Sequence, residues 1–245
     1  MRFSNKTVIV TGGAGGIGLA IASRFASEGA NIVLADINME QLTKGEETLR
    51  SKGAREVCLS QCDVSKEQQV ETTVKGAIEH FGTLDIIVNN AGLMIFKKLQ
   101  ETSGEDWNRI LNVDLLGAFY FTKHGFLTMK KGSSIINISS IHALETTPNV
   151  TTYAAAKAAL LSLTRSSSIE GKPKGIRVNA ILPGAIDTPM LWENPNIKAG
   201  LEEINKDSVG KPEDIAGVVA FLASEDAAFV QGAMIEVDGG RLDRL

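Results

Sequence analysis

Tyr153 and Lys157 stand four residues apart in the run Tyr153-Ala154-Ala155-Ala156-Lys157. On a helix that spacing puts both side chains on one face, about one turn from each other. A free phenol titrates near ~10 and is a poor base at neutral pH. An ammonium held a turn away favours the phenolate. The pair is therefore a candidate general acid/base for moving a proton on or off an alcohol oxygen.

A second constellation is Thr11-Gly12-Gly13-Ala14-Gly15-Gly16-Ile17-Gly18, set between a strand-like and a helix-like segment. Glycines there permit a tight turn and let backbone N–H groups approach a pyrophosphate at a helix N-terminus. Two frames fit: Gly13, Gly15 and Gly18, or Gly12, Gly16 and Gly18. A Walker A loop is excluded, because Leu19 stands where the lysine belongs. The next strand-like run ends at Asp36, where a carboxylate can accept hydrogen bonds from adenosine ribose hydroxyls and repel a 2′-phosphate. Gly15 and Ile37 supply no cation for such a phosphate. These residues favour NAD over NADP.

Short β-branched runs that alternate with longer helical stretches must position these groups. Strands are expected at Thr7–Thr11, Asn31–Ala35, Glu56–Gln61, Leu84–Asn89, Ser134–Ser139, Arg177–Ile181 and Ala233–Val237. Helices are expected near 17–29, 39–52, 66–81, 104–130, 152–171 and 212–224. Near-continuous runs such as Ile86-Ile87-Val88 indicate strands buried on both faces, as in a parallel sheet. The alternation predicts an α/β, doubly wound Rossmann fold: a seven-stranded, mainly parallel sheet flanked by helices on both faces. Right-handed crossovers line up the strand C-termini on one edge, where ligands bind. With no repeat or linker, residues 1–245 read as one domain, and the irregular stretch near 190–208 reads as a substrate lid.

The bulk properties narrow the function classes. Hydrophobic residues make up 43% and charged residues 22% of 245, the balance of an ordinary globular protein. A net charge of -4 argues against a nucleic-acid partner. No stretch approaches the ~20 apolar residues that span a bilayer, and no signal-like segment opens the chain, so a cytoplasmic protein is expected. Cys58 and Cys62 end one strand-like run, roughly 13 Å apart at about 3.3 Å per residue, beyond disulfide reach. They are read as reduced thiols. His80, His124 and His142 have no metal-ligand spacing to them or to each other, so no metal is expected.

With the motifs assembled, the chain resembles the short-chain dehydrogenase/reductase family over essentially its full length. The resemblance rests on Thr11–Gly18, Asn89-Asn90-Ala91-Gly92, Asn112, Ser140 with Tyr153 and Lys157, and Pro183-Gly184 through Thr188. It implies a nicotinamide cofactor, with Gly12, Gly16, Ile17 and Gly18 around the pyrophosphate and Asp63 and Val64 at the adenine. Asn90, Ala91 and Gly92 would border the adenosine ribose. Pro183, Gly184, Ile186 and Thr188 would hold the nicotinamide end. Ser140, thirteen residues before the tyrosine, would bind the substrate oxygen, leaving adjacent Ser139 to cofactor or structural contact. Lys157 would bind the nicotinamide ribose and lower the Tyr153 pKa, and Asn112 would hold a relay water. The resemblance also implies a homotetramer.

The substrate is less legible. Pocket candidates are Met94, Ser140, His142, Glu145, Met190 and Trp192. His142 and Glu145 suit a sugar or polyol, whereas Met190, Leu191 and Trp192 suit an apolar cyclic alcohol. The leading reading is an NAD-dependent oxidoreductase acting on an alcohol/carbonyl pair. A carbonyl or 3-oxoacyl-thioester reductase and a non-catalytic NAD-binding sensor are the alternatives.

Overall fold

The computed structural model describes every residue except 202, 205–207 and 243–245. Its seven strands are β1 (Thr7–Thr11), β2 (Asn31–Asp36), β3 (Val57–Gln61), β4 (Ile86–Asn89), β5 (Ser134–Ile138), β6 (Arg177–Pro183) and β7 (Met234–Val237). They form one sheet in the order β3-β2-β1-β4-β5-β6-β7. Every pairing is parallel, so the mainly parallel sheet of the sequence reading is wholly parallel among the described residues.

Period-two alternation divides the strand side chains between two cores. Val8, Val10, Ile32, Leu34, Ile86 and Val88 face one layer with α1 (Gly16–Ser27), α2 (Met39–Ser51) and, further along the chain, the helix at Pro212–Ala223. Ile9, Val33, Ile87 and Ile135 face the other, with α3 (Glu67–Phe81) and the helix at Gly117–Thr128. Burial on both faces is the reason the middles of β1, β2 and β4 are continuous runs of apolar residues.

The expected single helix over 104–130 is interrupted. It comprises α4 (Gly104–Leu111), a wider π turn at Asn112–Leu116 and α5 (Gly117–Thr128). Ser103 and Asp106 close a capping box at its start. Such a π segment carries one extra residue per turn and often marks a functional position. α6 (Thr151–Gly171) carries the Tyr153/Lys157 pair. The region expected as a lid contains two short helices, α7 (Pro189–Trp192) and α8 (Pro195–Lys198), each opened by a proline. Residues 202 and 205–207 of that region lie outside the described residues. α9 (Pro212–Ala223) precedes β7. Among the described residues, no helix is long and apolar enough to cross a membrane.

Candidate active site

β1 lies between β2 and β4, so the chain's crossovers diverge at the C-terminal ends of β1 and β4. That divergence opens a crevice in a doubly wound sheet. A cavity of about 360 Å³ occupies it, running from Asp36 and the glycine turn to Tyr153, Lys157 and the α7–α8 segment.

The glycine turn follows the Gly12, Gly16, Gly18 frame. Gly12 and Gly16 have φ of 59° and 51°, a left-handed conformation that favours glycine. A Cβ on Gly18 would fall 2.1 Å from the Gly12 carbonyl oxygen, so this residue lets α1 sit hard against the turn. Gly18 serves packing rather than the cavity wall, whereas Gly12, Gly16 and Ile17 line the wall. No side chain caps the start of α1, which leaves its first amides for an anion. The turn is braced from β4: Asn90 Nδ2 donates to the carbonyls of Thr11 and Gly12 at 2.9 and 3.2 Å. Thr11 Oγ1 accepts from the Asn90 and Ala91 amides. Asp36 Oδ2 accepts the Ala14 amide at 3.3 Å and Oδ1 the Asn38 amide at 3.1 Å, which aims the carboxylate at the cavity wall. Free helix-start amides, a turn with no room for side chains at Gly12, Gly13 and Gly18, and a carboxylate on the cavity wall together fit a dinucleotide. Asp63 and Val64 do not line this wall. Asp63 accepts from the Ser65 amide and hydroxyl, and Val64 packs where a Gly117 side chain would stand.

The reacting end is a buried charge cluster. Tyr153 is 8% and Lys157 3% exposed, with the ammonium 5.4 Å from the centre of the phenol ring. Lys157 Nζ donates to the Ile138 carbonyl at 3.1 Å. Ser140 ends the run after β5 and joins Tyr153 and Lys157 on the cavity wall. Its Oγ accepts the His142 amide at 3.2 Å. Ser139 Oγ donates to the Lys157 carbonyl at 2.9 Å, a structural contact that ties β5 to α6.

The fourth residue expected in this group stands apart from it. Asn112 is exposed to solvent. The residue that meets Lys157 is Asp114, which is 1% exposed, with Oδ2 3.3 Å from Nζ and Oδ1 accepting the Leu93 amide at 3.0 Å. The π turn carries Asp114 inward. Gly92 completes the fit, since a Cβ there would lie 2.8 Å from Asp114 Oδ2 and 3.2 Å from Lys157 Nζ. Sequence reasoning passed over Asp114. Its signal was a carboxylate inside an otherwise apolar stretch, Val113-Asp114-Leu115-Leu116.

Burial pushes the Tyr153 phenol above its ordinary value, Lys157 pulls it back, and Asp114 adds to the rise. The expected net lowering by Lys157 is thus outweighed by desolvation. Burial by itself draws Lys157 down, but Asp114 and Tyr153 hold the ammonium above its usual range. Burial likewise pushes the Asp114 carboxyl up, against the pull of Lys157 and the Leu93 amide.

At the far end, Pro183, Gly184, Ile186 and Thr188 line the cavity, as do Met94, His142 and Met190. His142 stands edge-on to the Tyr153 ring, centroids 5.9 Å apart, with Nδ1 3.2 Å from Thr146 Oγ1. Two expected pocket residues are elsewhere. Glu145 is exposed, and Trp192 donates from Nε1 to Asp187 Oδ1 at 2.7 Å beside a separate cavity. Leu191, read from the sequence as a possible cover for an apolar substrate, lines this cavity, and so do Gln41, Asn194 and Arg241, which no motif announces.

Comparison with known proteins agrees with this geometry. A family profile described as "Enoyl-(Acyl carrier protein) reductase" matches residues 12–241. The chain is 40% identical over 240 residues to 3-oxoacyl-(acyl-carrier-protein) reductase FabG of Chlamydia trachomatis, covering 96% of this chain and 97% of that one. It is 39% identical over 244 residues to 3beta-hydroxysteroid dehydrogenase 1 of Eggerthella lenta, covering 96% and 93%. Levodione reductase superposes with a TM-score of 0.94 at 34% identity over all of both chains. A short-chain dehydrogenase from Burkholderia cenocepacia, solved in complex with NADP, superposes at 0.91 with 30% identity over 98% of each chain. With matches of this length and a site of this geometry, the chain belongs to the short-chain dehydrogenase/reductase family of oxidoreductases.

Proposed function

We propose that this protein interconverts a secondary alcohol and its carbonyl with NAD(H), on an apolar, ring-sized substrate. The observation that carries this reading is one cavity holding Asp36 at one end and Ser140, Tyr153 and Lys157 at the other. The Asp36 carboxylate on the cavity wall would repel a 2′-phosphate, which supports NAD over NADP.

Bound nicotinamide supplies the hydride acceptor or donor. The chain's residues handle the proton and the developing charge. In oxidation, the Tyr153 phenolate accepts the substrate hydroxyl proton. Ser140 donates a hydrogen bond to the same oxygen and stabilises its charge. Lys157 sits beside the phenol and favours its ionised form. Reduction uses the same groups with Tyr153 as the acid.

Apolar side chains at the substrate end, including Met94, Ile141, Met190 and Leu191, favour a cyclic alcohol over a polyol. The polyol reading loses its carboxylate, since Glu145 faces solvent. The relatives named for 3-oxoacyl-(acyl-carrier-protein) reduction support a second reading, thioester ketone reduction on the same machinery. Exposed Phe119 and Leu127 on α5, and Phe221 on α9, suit a homotetramer through two isologous faces. Light scattering tests that assembly.

The deciding experiment measures NADH formation from NAD across cyclic alcohols, hydroxysteroids and polyols, with NADP in parallel. Turnover of a cyclic alcohol with NAD is expected. Activity confined to NADPH and an acyl thioester overturns the proposal for the second reading.

A further inference from the structure

One group at the reacting end has no part in the mechanism above. Asp114 is a fully buried carboxylate on the π turn, 3.3 Å from the Lys157 ammonium. Its placement is built from three sides. The Leu93 amide donates to Oδ1, the π turn rotates the residue inward, and Gly92 leaves room for the pair. A buried ammonium answers whatever charge surrounds it. With only a phenol nearby, Lys157 would give its full pull to the phenolate. With a carboxylate in contact, much of that pull is already engaged.

We propose that Asp114 is a positioning residue that holds Lys157 charged and in place while restraining its pull on the Tyr153 phenolate. A neutral amide here would leave Lys157 free to favour the phenolate. The proposal rests on Tyr153 being the general acid/base. The directions found for the three groups agree with it: Asp114 raises both Lys157 and Tyr153.

Among the described residues, Asp114 is the carboxylate paired with Lys157, and Arg241 is a further charged residue on the cavity wall. On α4, which packs on α6, Glu105 and Arg109 are exposed and Asp106 pairs with Lys97 at 2.8 Å. On α5, Lys123 and His124 face Glu67. From the turn after β5, His142 stands against the Tyr153 ring with Nδ1 toward Thr146. α6 itself contributes Tyr153 and Lys157.

The test is Asp114→Asn, read two ways. The chain has only two tyrosines, Tyr120 and Tyr153. Ultraviolet titration of the phenolate, with Tyr153→Phe as the subtraction, therefore isolates Tyr153 in cofactor-free protein. The expected result is a fall of about one unit in the Tyr153 titration. The rising limb of the pH–rate profile for oxidation should move down by the same amount. Asp114→Ser supplies a second neutral side chain should the asparagine variant fail to fold.

An unmoved phenol titration in the folded variant overturns the proposal. So does a loss of rate at every pH with the profile in place, which marks a merely structural role. A phenol shift in a protein whose Tyr153→Phe variant still turns over would instead overturn the general-base reading, while leaving the charge coupling standing.

Discussion

The two walls of the cavity near the reacting atoms differ in how they are held. On one wall, Tyr153, Lys157 and Asp114 are all at most 8% exposed and joined by an ion pair, backbone acceptors and a packed ring. On the other, Met190 is 45% exposed and lies on a four-residue helix. That outer wall is tied down at Trp192, which donates to Asp187, and at Asn196, which donates from Nδ2 to the Pro148 carbonyl and accepts from Asn149 Nδ2. Charge demands burial and fixed partners, because a misplaced buried ion costs several kcal/mol. Apolar contact with a substrate tolerates looser support. In the function proposed above, the inner wall carries the chemistry and the outer wall the choice of substrate.

The contrast is most severely tested at Tyr153. Tyr153→Phe should lower turnover about 10³-fold while cofactor binding, followed by fluorescence titration, stays close to wild type. Lys157→Met should lose activity and also stability, by about 3–5 kcal/mol, because it strands the Asp114 carboxylate. Denaturant melts measure that loss, and an unchanged midpoint would remove the buried-pair argument.

The pH dependence follows from the raised phenol. Oxidation needs the phenolate, so its rate climbs with pH and levels off above the Tyr153 pKa, which burial places on the alkaline side. Reduction needs the phenol and falls over the same range. A rising limb for oxidation below neutrality would contradict this assignment.

Asp36→Ala, at the remote end, should narrow the preference for NAD over NADP about tenfold, or ~1.4 kcal/mol. Paired KM measurements decide it. On the outer wall, Met190→Ala should raise the substrate KM by about threefold or more with kcat little altered. A kcat loss as large as that of the inner wall would erase the distinction between them. The smallest effect is expected at Asn112→Ala, within about 0.5 kcal/mol in stability and with near wild-type kcat. A large loss there would restore Asn112 to the reacting group.

The strands and the glycine turn were legible because they rest on local order. Val8-Ile9-Val10 reads as buried on both faces without its neighbours, and the turn's glycines are dictated by backbone close approach. Tyr153 and Lys157 were legible for the same reason, being one turn apart on a single helix. That Asp114 rather than Asn112 meets Lys157 was not legible, because reading 104–130 as one regular helix hides the π turn that holds both. Glu145 and Trp192 were misplaced because the choice between cavity and solvent depends on partners far away in sequence, such as Asp187 for the Trp192 indole.

By itself, then, the sequence determined the doubly wound sheet, the glycine turn between β1 and α1, and the placing of Tyr153 and Lys157 on one helix face, since periodicity and nearest-neighbour spacing suffice for each. Only the tertiary structure decided that a carboxylate stands behind Lys157, that Gly92 makes room for it, and which apolar side chains wall the substrate. Those features come from contacts between segments distant in sequence, and no local pattern encodes which buried charge will meet which.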